Sequence, residues 1–230
     1  MTIHSAAETS PAIVLRTRAL GESDLLVVLL TPEHGKVEAA ARGARNSKRR
    51  FPGGLPSGLR GLATITRGRG SLARLERFEA TTDHSPVGCD LDRFAYVAYL
   101  CELTDELVLG RHPDPLVFAA LCTALEAVIG GVPRPGQLRR YELALLAGLG
   151  LLPALVDCCA CGEPVPCSPG DTVAFDVGRG GVLCLGHGRG ALRMPGAVVA
   201  AAQRLVQGEE PAPLEEAPLE ERRALRDLTQ

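Results

Sequence analysis

Four residues late in the chain have the types and spacing of a metal centre. Cys158 and Cys161 form a C-x-x-C-G element within DCCACGEPVPC, and Cys184 and His187 repeat the two-residue gap within FDVGRGGVLCLGH. The glycine after the second thiolate leaves backbone N–H groups free to reach the sulfurs. Two such pairs, 22 residues apart, match tetrahedral structural zinc sites, where four protein ligands leave no open position. The expected chemistry is one structural zinc held by Cys158, Cys161, Cys184 and His187, with Cys159 or Cys167 as competing donors for one place. A redox C-x-x-C would want a βαβ setting, which the surrounding pattern does not supply. A zinc deaminase would need H-x-E ahead of its P-C-x-x-C, and none of His4, His34, His84 or His112 has a Glu two residues on.

The second constellation is electrostatic. Between Lys36 and Arg77 eleven cations face only Glu38 and Glu76, although the whole chain carries a net charge of −2. Such a block attracts polyanions by releasing the counterions condensed on them, whatever the base sequence. Since 23 of the 25 basic residues are Arg wherever they fall, clustering carries this reading and Arg identity does not. With two arginines on one face of the preceding strand, the expected phosphate contacts are Arg16, Arg18, Lys36, Arg42, Arg45, Lys48, Arg49, Arg50, Arg67, Arg69 and Arg74. Nothing in the chain reads as a Walker loop, dinucleotide fingerprint, nucleophile elbow or H-E-x-x-H. Two-metal nuclease or polymerase chemistry needs grouped carboxylates, and Glu22, Asp24 and Glu33 are as easily turn residues. A binding protein, not an enzyme, is expected.

Five short strands would carry the basic block. Ala12–Ala19 alternates after Leu15, Leu25–Leu30 is an unbroken apolar run, and Lys36–Ala41, Leu59–Thr66 and Leu72–Ala80 follow. Gly21 with Glu22, Ser23 and Asp24 makes one turn, and Arg67 to Gly70 a tight basic hairpin. Residues 42–50, followed by Pro52, Gly53 and Gly54, read as a mobile loop, because like charges repel. Five strands in 80 residues suit a small closed barrel, and the oligonucleotide-binding (OB) barrel is the five-stranded one that serves nucleic acids. After Pro86 the period becomes helical, with helices predicted at Leu91–Leu109, Pro115–Ile129, Gly136–Leu149, Pro195–Gln207 and Leu219–Leu228, and a Glu- and Pro-rich linker over Gly208–Pro218. Cys89, Cys101 and Cys122 lie in or beside helices and are expected to act as small apolar side chains.

The fold class expected is α+β and multidomain: an OB barrel over 1–82, a helical domain over 83–156, an inserted zinc-finger element over 157–190, and a C-terminal helical segment over 191–230 packing on the helical domain. The first 80 residues carry 13 basic and 7 acidic side chains and the remainder 12 and 20, a polyanion-facing module on an acidic body. No apolar run reaches the roughly 18 to 20 residues that span a bilayer, and MTIHSAAETSP lacks a basic start followed by an apolar core. A cytoplasmic, nucleoid-associated protein with reduced thiols is expected. Arg139 and Arg140, beside Leu138 and Leu143, could receive an acidic, apolar peptide tail.

The run AIVLRTRALGESDLLVVLLTPEHGKVEAAARGARNSKRR, with RGRGSLARLERFE downstream and the C-x-x-C-G and GG-x-L-C elements late in the chain, resembles the RecO family of bacterial recombination mediators from end to end. The resemblance implies binding of single- and double-stranded DNA, annealing of complementary strands, and action with RecR in loading RecA onto DNA coated by single-strand binding protein. Family members usually carry a second C-x-x-C where this chain has Cys184 and His187. From the residues alone, an RNA-binding or ribosome-associated barrel and a zinc-stabilised interaction scaffold are the alternatives.

Overall fold

A computed structural model describes residues 7–67, 72–110, 112–168, 170–209 and 217–229. The chain divides into two compact units, 1–133 and 134–230.

The first unit begins with β1 (Glu8–Leu20), β2 (Asp24–Thr31), β3 (Gly35–Ala41), β4 (Arg60–Thr66) and β5 (Ala73–Ala80). They close a barrel in the order β1-β2-β3-β5-β4, the expected OB-type architecture. All neighbouring pairs are antiparallel except β3 and β5, which run parallel with Ala39 opposite Ala73 and Ala40 opposite Arg74. A register shift between Val14 and Arg16 lets β1 bend from β4 onto β2. Val14, Val27, Leu29, Ala39, Leu75 and Phe78 fill the interior. The unbroken apolar run of β2 has a physical reason: Val27 and Leu29 face inward while Leu26, Val28 and Leu30 are also buried, and α3 packs against this strand.

Next come α1 (Ser85–Gly88), α2 (Leu91–Leu107) and α3 (Pro115–Gly130). Asp90 caps α2 by accepting from the backbone N–H of Asp92 at 3.0 Å and of Arg93 at 3.1 Å. Asp90→Ala is therefore expected to lower stability by about 1 kcal/mol, read from a chemical melt of the intact chain. Gly58 permits the close approach of β4's leading loop to α2: its φ is +80° and an added Cβ would lie 2.4 Å from Val97 Cγ1.

The second unit contains α4 (Pro135–Gly148), β6 (Thr172–Asp176), β7 (Gly181–Leu183), β8 (Leu192–Pro195), α5 (Gly196–Val206) and α6 (Leu219–Thr229). The helical stretch read over 83–156 is thus shared between the units: α2 and α3 belong to the barrel's unit and α4 to the other. An antiparallel sheet ordered β7-β6-β8, absent from the sequence reading, packs Val173, Phe175 and Val182 with Leu143, Val198 and Val199. The buried side of α4 is polar as well as apolar at mid-helix. Glu142 accepts from Arg139 at 2.7 Å and from the Thr229 hydroxyl, and Arg139 also donates to Thr229 Oγ1 at 3.0 Å.

Candidate metal centre and nucleic-acid interface

Two knuckles hold the metal-type residues. In the first, Gly162, at φ +77°, turns the chain after Cys161, and its N–H donates to the Cys158 carbonyl at 2.8 Å. In the second, which follows β7, the N–H groups of His187 and Gly188 both donate to the Cys184 carbonyl. The Sγ atoms of Cys158, Cys161 and Cys184 and a ring nitrogen of His187 all lie within 4.8 Å of one another. Cys161 and Cys184 sulfurs are 3.8 Å apart, and His187 Nδ1 is 3.3 Å from Cys184 Sγ and 3.9 Å from Cys158 Sγ. A tetrahedral zinc with the usual bond lengths separates sulfurs by about 3.8 Å and sulfur from nitrogen by about 3.6 Å. The donor set and its spacing fit that ion.

Local backbone dipoles prepare the site. The Cys158 thiol is pulled down to about 6, first by the N–H of Cys184 and then by those of Ala160 and Cys161. At Cys161 the N–H of Glu163 also favours the thiolate, but burial and the neighbouring sulfurs of Cys158 and Cys184 outweigh it and push that thiol up to about 11. A cation among these atoms removes the conflict, since it stabilises every thiolate at once. The competing donors lie elsewhere among the described residues: Cys167 donates to the Val165 carbonyl at 3.4 Å, and the Cys159 Cβ sits where Gly181 passes too closely for a side chain. Burial pushes Cys101 up to about 12 and raises Cys122, in keeping with small apolar roles.

On the barrel, the cross-strand register sets out the cations. Arg18 pairs with Leu26, Leu26 with Ala40, and Ala40 with Arg74, a row on the outer face. The segment after β3 lies beside this row, and it is tied down where a mobile loop was expected. The Gly43 N–H donates to Asp24 Oδ1 at 2.8 Å, the Arg45 N–H to the Ser23 carbonyl at 3.1 Å, and the Phe78 N–H to the Arg50 carbonyl at 3.1 Å. Phe51 reaches the barrel core and anchors the end of the segment there. Arg50 folds back over the Phe51 ring, 5.3 Å from its centroid, and donates to the Arg42 carbonyl at 2.6 Å.

The expected contact residues therefore fall into groups. Arg18, Arg42, Arg45, Lys48, Arg49 and Arg67 are exposed and have no carboxylate partner among the described residues. Arg74 is half exposed and 3.1 Å from Glu76. Arg16 and Lys36 instead meet Asp105 of α2, at 2.7 and 3.3 Å, and hydrogen bonding to that carboxylate raises Arg16 above its ordinary value. Arg69 lies outside the described residues. Sequence reasoning missed Asp105 and Glu142; each is an acid on a helix face otherwise turned inward, and that misfit is the signal that could have found it.

Comparison with known proteins bears on both sites. Residues 5–83 match the family model described as Recombination protein O N terminal, and residues 89–230 match Recombination protein O C terminal. The chain belongs to the RecO family. Curated relatives named DNA repair protein RecO include one from Anaeromyxobacter sp. (strain K), 41% identical over 200 residues that cover 85% of this chain and 78% of the relative. Those of Myxococcus xanthus, 37% identical with 86% and 80% covered, and Symbiobacterium thermophilum, 38% identical with 86% and 79% covered, agree. RecO membership carries a role in DNA repair and recombination. It runs through both units, so barrel and cysteine knuckles are parts of one RecO chain. Among the described residues no helix is long and apolar enough to cross a membrane.

Proposed function

We propose that this chain is a non-enzymatic recombination mediator of the cytoplasm that acts at the nucleoid, binding single- and double-stranded DNA through their phosphates and annealing complementary strands. With RecR it helps RecA load onto DNA coated by single-strand binding protein. The observation that carries this reading is the set of cations without carboxylate partners gathered along one face and rim of the barrel. A backbone-reading surface accepts one strand or two, and by neutralising phosphates it lowers the repulsion that opposes pairing. Base stacking has little to offer on the barrel itself, because both of its aromatic side chains, Phe51 and Phe78, are buried. A structural zinc held by Cys158, Cys161, Cys184 and His187 shapes the second unit.

The test compares single-strand, duplex and RNA affinities at fixed salt, together with annealing of complementary oligonucleotides. Comparable affinity for both DNA forms, with annealing, is expected. A strong preference for RNA would point to the ribosome-associated reading, and absence of salt-dependent binding to a scaffold. The acidic tail of single-strand binding protein is proposed to dock at Arg139 and Arg140. Because Arg139 supports buried Glu142, the informative change is Arg140→Glu with Arg139 intact. It should weaken tail binding about tenfold, as loss of a charge-assisted contact does, and leave bare-DNA affinity unchanged; equal loss of both would remove this docking site.

A further inference from the structure

The cations of the barrel are not equivalent, and α2 is the reason. Asp105 and Glu106 sit in the last turn of this helix, where the dipole disfavours negative charge, and that turn has no basic residue of its own. The deficit is met from the barrel. Lys36 Nζ donates to the Asp105 carbonyl, one of the terminal groups without a helical partner, and lies 3.3 Å from its carboxylate, while Arg16 Nε donates to that carboxylate at 2.7 Å. Asp105 is only 9% exposed. Glu38 and Glu106 add weaker attraction on Arg16, in the same direction as Asp105. Glu38 lies opposite Val28, which pairs with Arg16, whereas the neighbouring register row carries Arg18 and Arg74.

We infer that Asp105 is a positioning residue that withholds Arg16 and Lys36 from nucleic acid, and so confines the phosphate track to the rim carrying Arg18 and the turn 42–49. The inference rests on the phosphate-binding reading of the barrel and gives that surface a boundary. A cation already paired with a carboxylate has little charge left to displace DNA counterions, so it adds little to the salt dependence of binding. A role for Asp105 in stability alone would leave that dependence untouched.

The test is a salt titration of binding to one duplex by the intact wild-type protein and by Arg16→Gln, Lys36→Gln and Asp105→Asn, with thermal melts alongside. Wild type should show a steep slope of log affinity against log salt. Arg16→Gln and Lys36→Gln should each keep that slope within about 0.3, whereas Asp105→Asn should steepen it by roughly one to two as the released cations engage phosphates. A fall of about one in either glutamine variant would overturn the inference, as would an unchanged slope in folded Asp105→Asn. Should Asp105→Asn fail to fold, the glutamine variants decide alone. A flat wild-type slope would remove the phosphate-binding reading together with its boundary, whereas a fall in the variants beside a steep wild type removes only the boundary.

Discussion

Cys161→Ser is expected to lose its metal and with it the folded state of the second unit. Closed four-ligand zinc sites contribute apparent free energies of about 10–16 kcal/mol in small zinc domains, comparable with the roughly 5–15 kcal/mol that holds a whole domain together. Here the ligands come from two knuckles whose own apolar support is small, Cys158 with Ala174 and Leu183. The knuckles flank a sheet of strands only five, three and four residues long. Metal analysis should find about one zinc per wild-type chain and none in the variant, and the melt should lose one transition. Zinc-free wild type with an unchanged melt would end this account. His187→Cys, which restores a second C-x-x-C, should keep the ion. Acidification should also weaken the site, because zinc binds thiolates and displaces their protons. The Cys158 thiol is already depressed to about 6 by the surrounding N–H groups, which lowers the cost of ionising it. Zinc affinity should therefore fall as the pH is lowered, measurable with a chromogenic chelator.

Changing Arg42, Arg45, Lys48 and Arg49 together to Ala should cut DNA affinity the most. Each phosphate contact on duplex contributes about 0.9 to the slope of log affinity against log salt, so four lost contacts flatten it by roughly three to four and weaken binding on the order of a thousandfold at 0.1 M salt. The loss should be alike for unrelated base sequences, because phosphate contacts position the duplex without specifying it. Stability should change by less than about 0.5 kcal/mol, since these four side chains are exposed. Arg50 is left in place because it packs on Phe51 and bridges to Arg42. Salt titrations on two duplexes give the readout, and an unchanged slope would move the track to Arg67 and Arg74.

What could be read from the sequence was whatever depends on period and spacing. The alternation after Leu15 and the apolar run Leu25–Leu30 located β1 and β2 because one strand is wetted on a face and the other is buried on both. The two x-x gaps brought Cys158, Cys161, Cys184 and His187 to one point because a knuckle is a local structure. What escaped depended on partners far along the chain. β7 spans three residues, too few for a period, although Thr172–Asp176 followed by Gly178, Gly180 and Gly181 carried a hairpin signal. The basic segment read as mobile because charge repulsion is visible in a sequence, while the seat of Phe51 in a barrel made by other strands is not. Arg16 and Lys36 looked like Arg18, and only the fold shows that Asp105, some 90 residues beyond Arg16, lies against the first pair.

The barrel's closure also fixes when it can form. Its seams join Glu8 to Ile65 and Ala39 to Ala73, so the ring has no local route to completion. Loop entropy must be spent before either seam returns any contact, a topology that places folding among slow, non-local β proteins rather than fast helical ones. During synthesis the first strand waits, with its outer edge unpaired, until β4 has left the ribosome. In that interval the nascent chain carries both an adhesive strand edge and a basic turn able to attract the nearest polyanion. Chaperone demand and translation speed across residues 42–66 are therefore expected to govern the yield of this protein more than its final stability does.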